Sequence, residues 1–439
     1  MGLTDTLTLD ESDVAAAPVD HLYLAVIAGK PLAGARWSLA GVDTIEIGRG
    51  AARAIQRTGK TIRLDVPDPH MSSTHVRLQR ERAHWLAVDA GSRNGFSING
   101  VRQDRAPILA HDVIEAGRSF FLLRMSERAG AVELAPQVIA NGLVTLDPEL
   151  DRAFGELAAA ARSGLPILIG GPTGSGKERV ALAVHHASSR KGAFVPVNCA
   201  ALPAGLVESE LFGHKRGAFS GAIADAPGLV VASDRGTLFL DEIGDLPAPA
   251  QAALLRVLEA KEVRAVGATT ATQVDLRVVA ATHRDLDALV EAEAFRDDLI
   301  ARLAGFELEL PALADRRVDL GLVLAEILPP NAQLAAAATR QLFAYTWPRN
   351  VRELVRAMER ALALAGTGEI TLAHLPEEIA TAKWQAAPIR EPDARRDELE
   401  AALAKHRGNV SQVATELGKA RQQIQRWLKR YGLDPTRFK

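Results

Sequence analysis

The chain nearly lacks cysteine: Cys199 stands alone among 439 residues, so no internal disulfide can form and a reducing compartment fits. It also lacks any run approaching the ~18 apolar residues that a membrane-spanning helix needs. The first twenty residues are acidic, without the basic start and apolar stretch of a signal peptide, so a cytoplasmic protein is expected. No short-period repeat is visible, which argues against a solenoid. Net charge is nearly absent too, at −2, but it is unevenly spread. From Arg395 to Lys439 eleven Lys/Arg face five Asp/Glu, a balance of +6 that leaves −8 for the rest. A basic end on a near-neutral chain points to a separate nucleic-acid-binding module.

What is present is globular material, 47% apolar and 24% charged, long enough for several domains. Residues 1–20 read as a disordered tail. Residues 21–126 carry seven short β-like runs (Leu22–Ile27, Thr44–Ile47, Thr61–Leu64, His75–Gln79, Trp85–Val88, Val113–Ala116 and Phe120–Arg124) between turn signals, the pattern of an all-β sandwich. After a linker, 127–140, residues 141–310 alternate β runs with helical patterns, which predicts a parallel sheet with crossover helices. Its strands are read at Ile167–Gly170, Phe194–Asn198, Thr237–Leu240, Leu276–Ala280 and Phe306–Leu310. Residues 311–380 read as helices only, a lid; 381–394 as a Pro- and Arg-containing linker; and 395–439 as a compact all-α unit.

The strand Ile167–Gly170 runs into Gly171-Pro172-Thr173-Gly174-Ser175-Gly176-Lys177-Glu178 and then a helix, a phosphate-binding loop in its required context. Backbone N–H groups of such a loop face the phosphates of ATP, and Lys177 reaches the outer ones. Glu178 stands where most such loops place a hydroxyl on Mg2+, so the metal depends on other groups. Those lie at the end of the apolar strand Thr237–Leu240: Asp241 for the metal, Glu242 to polarise the attacking water.

These pieces resemble the AAA+ ATPase of sigma-54-dependent activators, the bacterial enhancer-binding proteins, over residues 141–380. The resemblance implies a hexameric ring in which Arg296 and Arg302 reach a neighbouring subunit's ATP, Arg352 of the lid meets the phosphates, and Asn198 restrains Glu242. It also implies that Gly217-Ala218-Phe219-Ser220-Gly221-Ala222 is the protruding loop that touches sigma-54 in RNA polymerase. Ser220 replaces the family's Thr, Lys215 an acid and His283 an Asn, and the stretch from Asp319 to Trp347 is short; each bears on coupling more than on ATP binding.

Two flanking resemblances complete the organisation. Ile47-Gly48-Arg49, Met71 to His75 and Asp89 to Gly95 resemble a forkhead-associated (FHA) domain. This implies phosphothreonine-peptide binding, with Arg49, Ser72 and Arg93 on the phosphate, Asn94 on the peptide backbone and His75 supporting the loop. Ser73 stands where an arginine is frequent, and residues 50–71 make a long connection. The acidic tail's own Thr4, Thr6 and Thr8 are candidate phosphorylated ligands. The C-terminal residues resemble a Fis-type helix-turn-helix, with Ala414, Leu417, Ile424, Trp427 and Leu428 as core. Arg421, Gln422, Gln423, Gln425 and Arg426 are then directed at double-stranded DNA, and Lys429 and Arg430 at its phosphates. Two other readings stay open: a phosphopeptide-gated DNA-binding regulator without sigma-54 coupling, and an AAA+ remodeller with a different client.

Overall fold

The computed structural model describes residues 19–31, 34–82, 84–126, 132–133, 143–203, 205–384, 394–419, 421–431 and 433–438. The candidate tail threonines, Thr4, Thr6 and Thr8, lie outside them. The described chain divides into two compact units, one up to Trp384 and one from Gln385 onward.

The first unit opens with a β-sandwich of thirteen strands: β1 Val19–Val26, β2 Ala35–Ser38, β3 Thr44–Arg49, β4 Ala54–Thr58, β5 Thr61–Val66, β6 Val76–Glu81, β7 His84–Asp89, β8 Phe96–Ile98, β9 Val101–Gln103, β10 Arg105–Ile108, β11 Val113–Ala116, β12 Ser119–Ser126 and β13 Val132–Glu133. One sheet runs β13-β2-β1-β12-β11-β8-β9 and the other β10-β7-β6-β3-β5-β4. The connection expected to be long, residues 50–71, contains the β4–β5 hairpin, and β5 lies parallel to β3. Alternate residues of the facing strands, among them Leu22, Leu24, Ile45, Ile47, Leu78 and Phe121, fill the core between the sheets.

The α/β part has β14 Ile167–Gly170, β15 Phe194–Asn198, β16 Thr237–Asp241, a ribbon of β17 Glu262–Val263 and β18 Thr272–Gln273, then β19 Arg277–Thr282 and β20 Phe306–Glu309. The main sheet is wholly parallel in the order β15-β16-β19-β14-β20. Ligands of such sheets bind beyond the carboxyl ends of the strands, where β14, β15, β16 and β19 deliver the P-loop, Asn198, Asp241 and the residues after Thr282. The lid follows as helices Leu320–Ile327, Ala336–Ala344, Asn350–Ala365 and Glu377–Ala380.

The sandwich and the lid share one apolar core. Tyr23, Ala25, Val26, Val113, Phe120 and Leu122, from the outer face of β1, β11 and β12, cluster with Leu320, Leu324, Leu334, Phe343 and Trp347 of the lid. Phe120 stacks on Phe343 with ring centroids 5.5 Å apart. The rim is polar and paired. Arg340 donates twice to Glu115, at 2.8 Å each, and Arg118 donates to the Leu334 carbonyl and pairs with Glu369. Close approach is built in: a Cβ on Gly321 would stand 1.8 Å from the Ala25 carbonyl oxygen.

A buried acid pins the junction. Asp319 accepts from Thr145 Oγ1 at 2.7 Å and from the Leu146 N–H at 2.6 Å, while the Leu146 carbonyl accepts from Arg36 of β2. Burial pushes the Asp319 carboxyl from 3.8 up to about 6, against the pull of Arg316. The folded chain therefore holds a proton that the unfolded chain releases across that interval. This contribution to stability is complete below the lower value and is lost as pH rises through the upper one. Melting of Asp319→Asn should accordingly gain on the parent between about pH 4.5 and 7. Parallel melting curves for the two proteins across that range would refute the assignment.

The second unit packs helices Ala394–Lys405, Val410–Glu416 and Arg421–Tyr431 around Leu399, Leu403, Val413, Ile424 and Trp427. Asn409 caps the second helix by accepting from the Ser411 and Gln412 N–H groups.

Candidate functional site

The loop between β14 and helix Lys177–Ala187 forms one wall of a cleft of about 410 Å³. Thr173, Gly174, Gly176, Lys177, Glu178, Asp241 and Glu242 line it from the sheet side, and Arg352 and Arg356 from the lid. Gly171 and Ser175 belong to the same loop but are not among the lining residues. Lys177 is buried and donates to the Gly171 carbonyl at 2.8 Å, so its ammonium turns back on its own loop. Burial lowers its pKa, opposed chiefly by Glu242. The Ser175 hydroxyl is buried without a partner. A buried cation on loop carbonyls and an unsatisfied hydroxyl are what a phosphate group would engage.

Asp241 ends β16 beside Glu242, and burial followed by repulsion from Glu242 raises its carboxyl above the usual range. A divalent cation would relieve that repulsion, so the pair fits Mg2+. Among the described residues no three metal-binding side chains converge, so most of the ligands would come from the triphosphate and water.

The lid grips the loop through residues that the sequence pattern did not single out. Asn350 donates to the Thr173 carbonyl at 3.0 Å and accepts from the Leu313 N–H, and Arg316 donates to the Ser175 carbonyl at 2.6 Å. Glu242 departs from expectation. Its carboxylate is held by His283, while the Asn198 side chain accepts from the Ala200 N–H and caps its own turn. Arg296 pairs with Asp298 and Arg302 with Glu259; both arginines are exposed, and neither lines this cleft.

The loop Gly217–Ala222 leaves helix Val207–Phe212 and returns beside Ala226. Gly217 and Gly221 sit at φ +82° and +113° with open space around them, so conformation alone demands glycine there. The loop closes by Gly217 N–H to the Ala222 carbonyl, and Lys215 pairs with Asp225 at its base. Phe219 is half-buried, its ring edge-on to His214 at 5.0 Å, and His214 is held by Ser209. Ser220 is exposed, Ala218 half-buried and Ala222 buried. The apolar residue that stands free is Ile223, 87% exposed, one position beyond the motif.

Residues 143–309 match the family described as the Sigma-54 interaction domain, and 323–392 match an AAA+ ATPase lid domain. Residues 45–117 match the FHA domain and 394–431 the bacterial regulatory protein, Fis family. The transcriptional regulatory protein GlrR of Escherichia coli is 39% identical over 311 residues, 68% of this chain and 70% of that protein. The response regulator protein PilR of Pseudomonas aeruginosa is 39% identical over 343 residues, 73% and 76% of the two chains. Among solved structures, NtrX from Brucella abortus in complex with ADP is 30% identical with a TM-score of 0.51, over 67% of this chain and 71% of that one. The chain belongs to the sigma-54-dependent transcriptional regulators. It is an AAA+ ATPase with an FHA domain before the ATPase module and a DNA-binding helix-turn-helix after it.

In the regulator's FHA domain, the loops after β3, before β6 and after β7 meet at one end of the sandwich. Arg49 and Arg93 are exposed there; the Ser72 hydroxyl accepts from the Arg93 N–H, and Asn94 donates to the His70 carbonyl. His75 is buried between the Ser72 N–H and the Gly95 carbonyl, tying two of the loops together. Arg63, from the β4–β5 hairpin, donates to Thr74 Oγ1 and to the Ser73 carbonyl, which brings a guanidinium to the position where the sequence has Ser73. Its partners are eleven and ten residues away, so no local motif announces it.

In the helix-turn-helix, Arg421 and Gln425 are exposed and Arg426 is half-buried. Gln423 does not face outward. It is 7% exposed, because its place one turn before Trp427 brings it to the buried edge of the helix. Leu417 is half-buried against the core that Ala414, Ile424, Trp427 and Leu428 form. The side chains of Gln422, Lys429 and Arg430 lie outside the described residues.

Proposed function

We propose that the regulator binds upstream DNA, assembles into a ring and uses ATP with Mg2+ to drive the Gly217–Ala222 loop against sigma-54, under control of a phosphothreonine peptide at the FHA loops. Gly171 to Lys177 and Arg352 hold the nucleotide, with Glu178 beside them. Asp241 holds the metal, which neutralises charge on the phosphates when bound. Glu242 orients the attacking water, and Arg296 and Arg302 serve the neighbouring subunit's site. Arg49, Ser72, Arg93 and Asn94 take the phosphopeptide, and Arg421, Gln422, Gln425 and Arg426 the DNA.

The apolar core shared by the sandwich and the lid carries the regulatory part of this reading. It supports a short relay. Asp68, fully buried, accepts from the His70 N–H on the peptide-binding side and from the Arg118 N–H and Ser119 hydroxyl on the other. His70 is the residue whose carbonyl holds Asn94, and Arg118 is the residue that grips Leu334 and Glu369 of the lid. Peptide capture at Asn94 thus bears on the lid helices that close over the P-loop.

Transcription in vitro from a sigma-54 promoter, with a phosphothreonine peptide added or omitted, tests the reading. The peptide should change ATP turnover and open-complex yield of the full chain. Arg118→Ala should keep peptide affinity while flattening the response to within about twofold, since the loss of one charged hydrogen-bonding partner uncouples the lid. An unchanged response in that variant would break the relay; no response in the parent would remove the gating.

A further inference from the structure

The loop between β5 and β6 carries Ser72, whose hydroxyl is one of the groups proposed to meet the phosphate. Most of its anchors come from β3 and from its own histidine. The Ser72 carbonyl accepts from the Arg49 N–H at 2.9 Å, and the His75 N–H donates to the Ile47 carbonyl at 2.8 Å. The Ser72 N–H donates to His75 Nδ1 at 3.0 Å. Between these fixed points, the Ser73 carbonyl and the Thr74 hydroxyl both go to one side chain, Arg63 of β5. Its Nη1 donates to Thr74 Oγ1 at 2.9 Å, its Nη2 to the Ser73 carbonyl, and its Nε to Asp65 Oδ1 at 2.9 Å. The contact is tight. A Cβ on Gly48, the residue before Arg49, would stand 1.9 Å from the Ser73 carbonyl oxygen and 2.8 Å from Arg63 Nη2.

We infer that Arg63 is a positioning residue of the phosphopeptide site, holding Ser73 and Thr74 against Gly48 and thereby aiming the Ser72 hydroxyl. The inference rests on the reading of the FHA loops as a phosphothreonine site. A guanidinium presents its N–H groups in a rigid fork, so acceptors bound to its two Nη atoms are fixed relative to each other. Here the acceptors belong to consecutive residues, and the backbone between them loses its freedom to rotate. The Ser72 hydroxyl, one residue before, is left directed at the Arg93 N–H from which it accepts at 3.1 Å. Arg63 is poorly suited to be the phosphate's own cation. Asp65 takes its Nε, Glu46 lies 3.9 Å from Nη1, and only 26% of its side chain is exposed. The exposed Arg49 and Arg93 are left to supply the charge. β5 is thus the strut of the site, running parallel beside the strand that ends in Arg49.

The test uses the full chain and a labelled pool of peptides carrying phosphothreonine between randomised flanks, beside its unphosphorylated counterpart. Arg63→Ala should weaken phosphopeptide binding by about tenfold, the weight of a hydrogen bond from a charged group. In a Ser72→Ala background the same change should cost less than about twofold, because the hydroxyl that Arg63 aims is gone. A role confined to keeping the sandwich folded would cost the same factor in both backgrounds. Arg63→Lys keeps the charge beside Asp65 but cannot hold both acceptors at once. It should stay impaired by at least about threefold, with thermal unfolding matching the parent's.

Parent-like affinity in Arg63→Ala would overturn the inference, and so would an equal loss with and without Ser72. Full recovery by Arg63→Lys would make charge the working property instead of the fork, and would also overturn it. Arg49→Ala, measured alongside, distinguishes the two levels. If that variant binds the pool as the parent does, or if the parent itself does not prefer the phosphorylated pool, the reading of the loops fails. If Arg49→Ala loses binding while Arg63→Ala is normal, only the role of Arg63 fails.

Discussion

Phe219→Ala should leave ATP turnover of the regulator close to the parent's and abolish sigma-54-dependent open-complex formation. The ring lies half-buried on His214, with nothing of the nucleotide cleft in contact, so its loss should not reach Lys177 or Glu242. An aromatic anchor at the centre of a contact contributes about 2–4 kcal/mol, on the order of thirtyfold to a thousandfold in retention of the partner. The measurement is a pull-down of purified sigma-54 with a transition-state mimic of ATP hydrolysis, beside a turnover assay. Ile223→Ser, which removes the most exposed large apolar side chain of the chain's described residues, should weaken the same retention by a smaller factor. If turnover and activation fell together in Phe219→Ala, the loop would belong to the catalytic apparatus and its assignment to sigma-54 would be lost.

The second large effect concerns stability. Phe343→Ala removes a fully buried ring stacked on Phe120, at the centre of the core shared by sandwich and lid. Truncation of a buried Phe costs about 3–5 kcal/mol, a large share of what holds a domain folded. The parent should melt its first unit in one cooperative step. The variant should melt in two, with the lid transition lower and the sandwich transition little changed. A single transition lowered uniformly would mean that the lid and sandwich do not separate even when their junction is hollowed.

Much of this was legible along the chain. The five strands of the ATPase sheet fall where periodicity puts them, within two residues, and three of them end on the polar or glycine residues Gly170, Asn198 and Asp241. The sandwich was harder. Ala54–Thr58 and Val101–Gln103 form strands with almost no buried residue, so neither shows the alternation that marks a half-buried strand. Conversely, Leu22 to Ile27 and Phe120 to Leu123 are continuously apolar, a pattern of strands buried on both faces. The lid is what covers the second face, and the sequence states that a cover exists without saying which segment supplies it. The side chain that meets Glu242 was hard to read for a related reason. A motif reports which residues stand at strand ends, but the rotamer of Glu242 chooses between neighbours on its two sides, and that choice is made by His283, forty-one residues away.

The contact between Gly321 and the Ala25 carbonyl has a consequence for recombination. Sensory modules are usually imagined as exchangeable cartridges, joined to an engine by a tether. Here a strand of the cartridge rests directly on a helix of the engine, at a spot where any larger residue would collide with it. A foreign reader spliced in at residue 126 would arrive without the strand face that matches Gly321 and Phe343, and would leave the lid bare. The heritable unit is therefore discontinuous: the sandwich together with the helices from Leu320 to Ala380, transplanted as one, with the ATPase sheet between them left to the host.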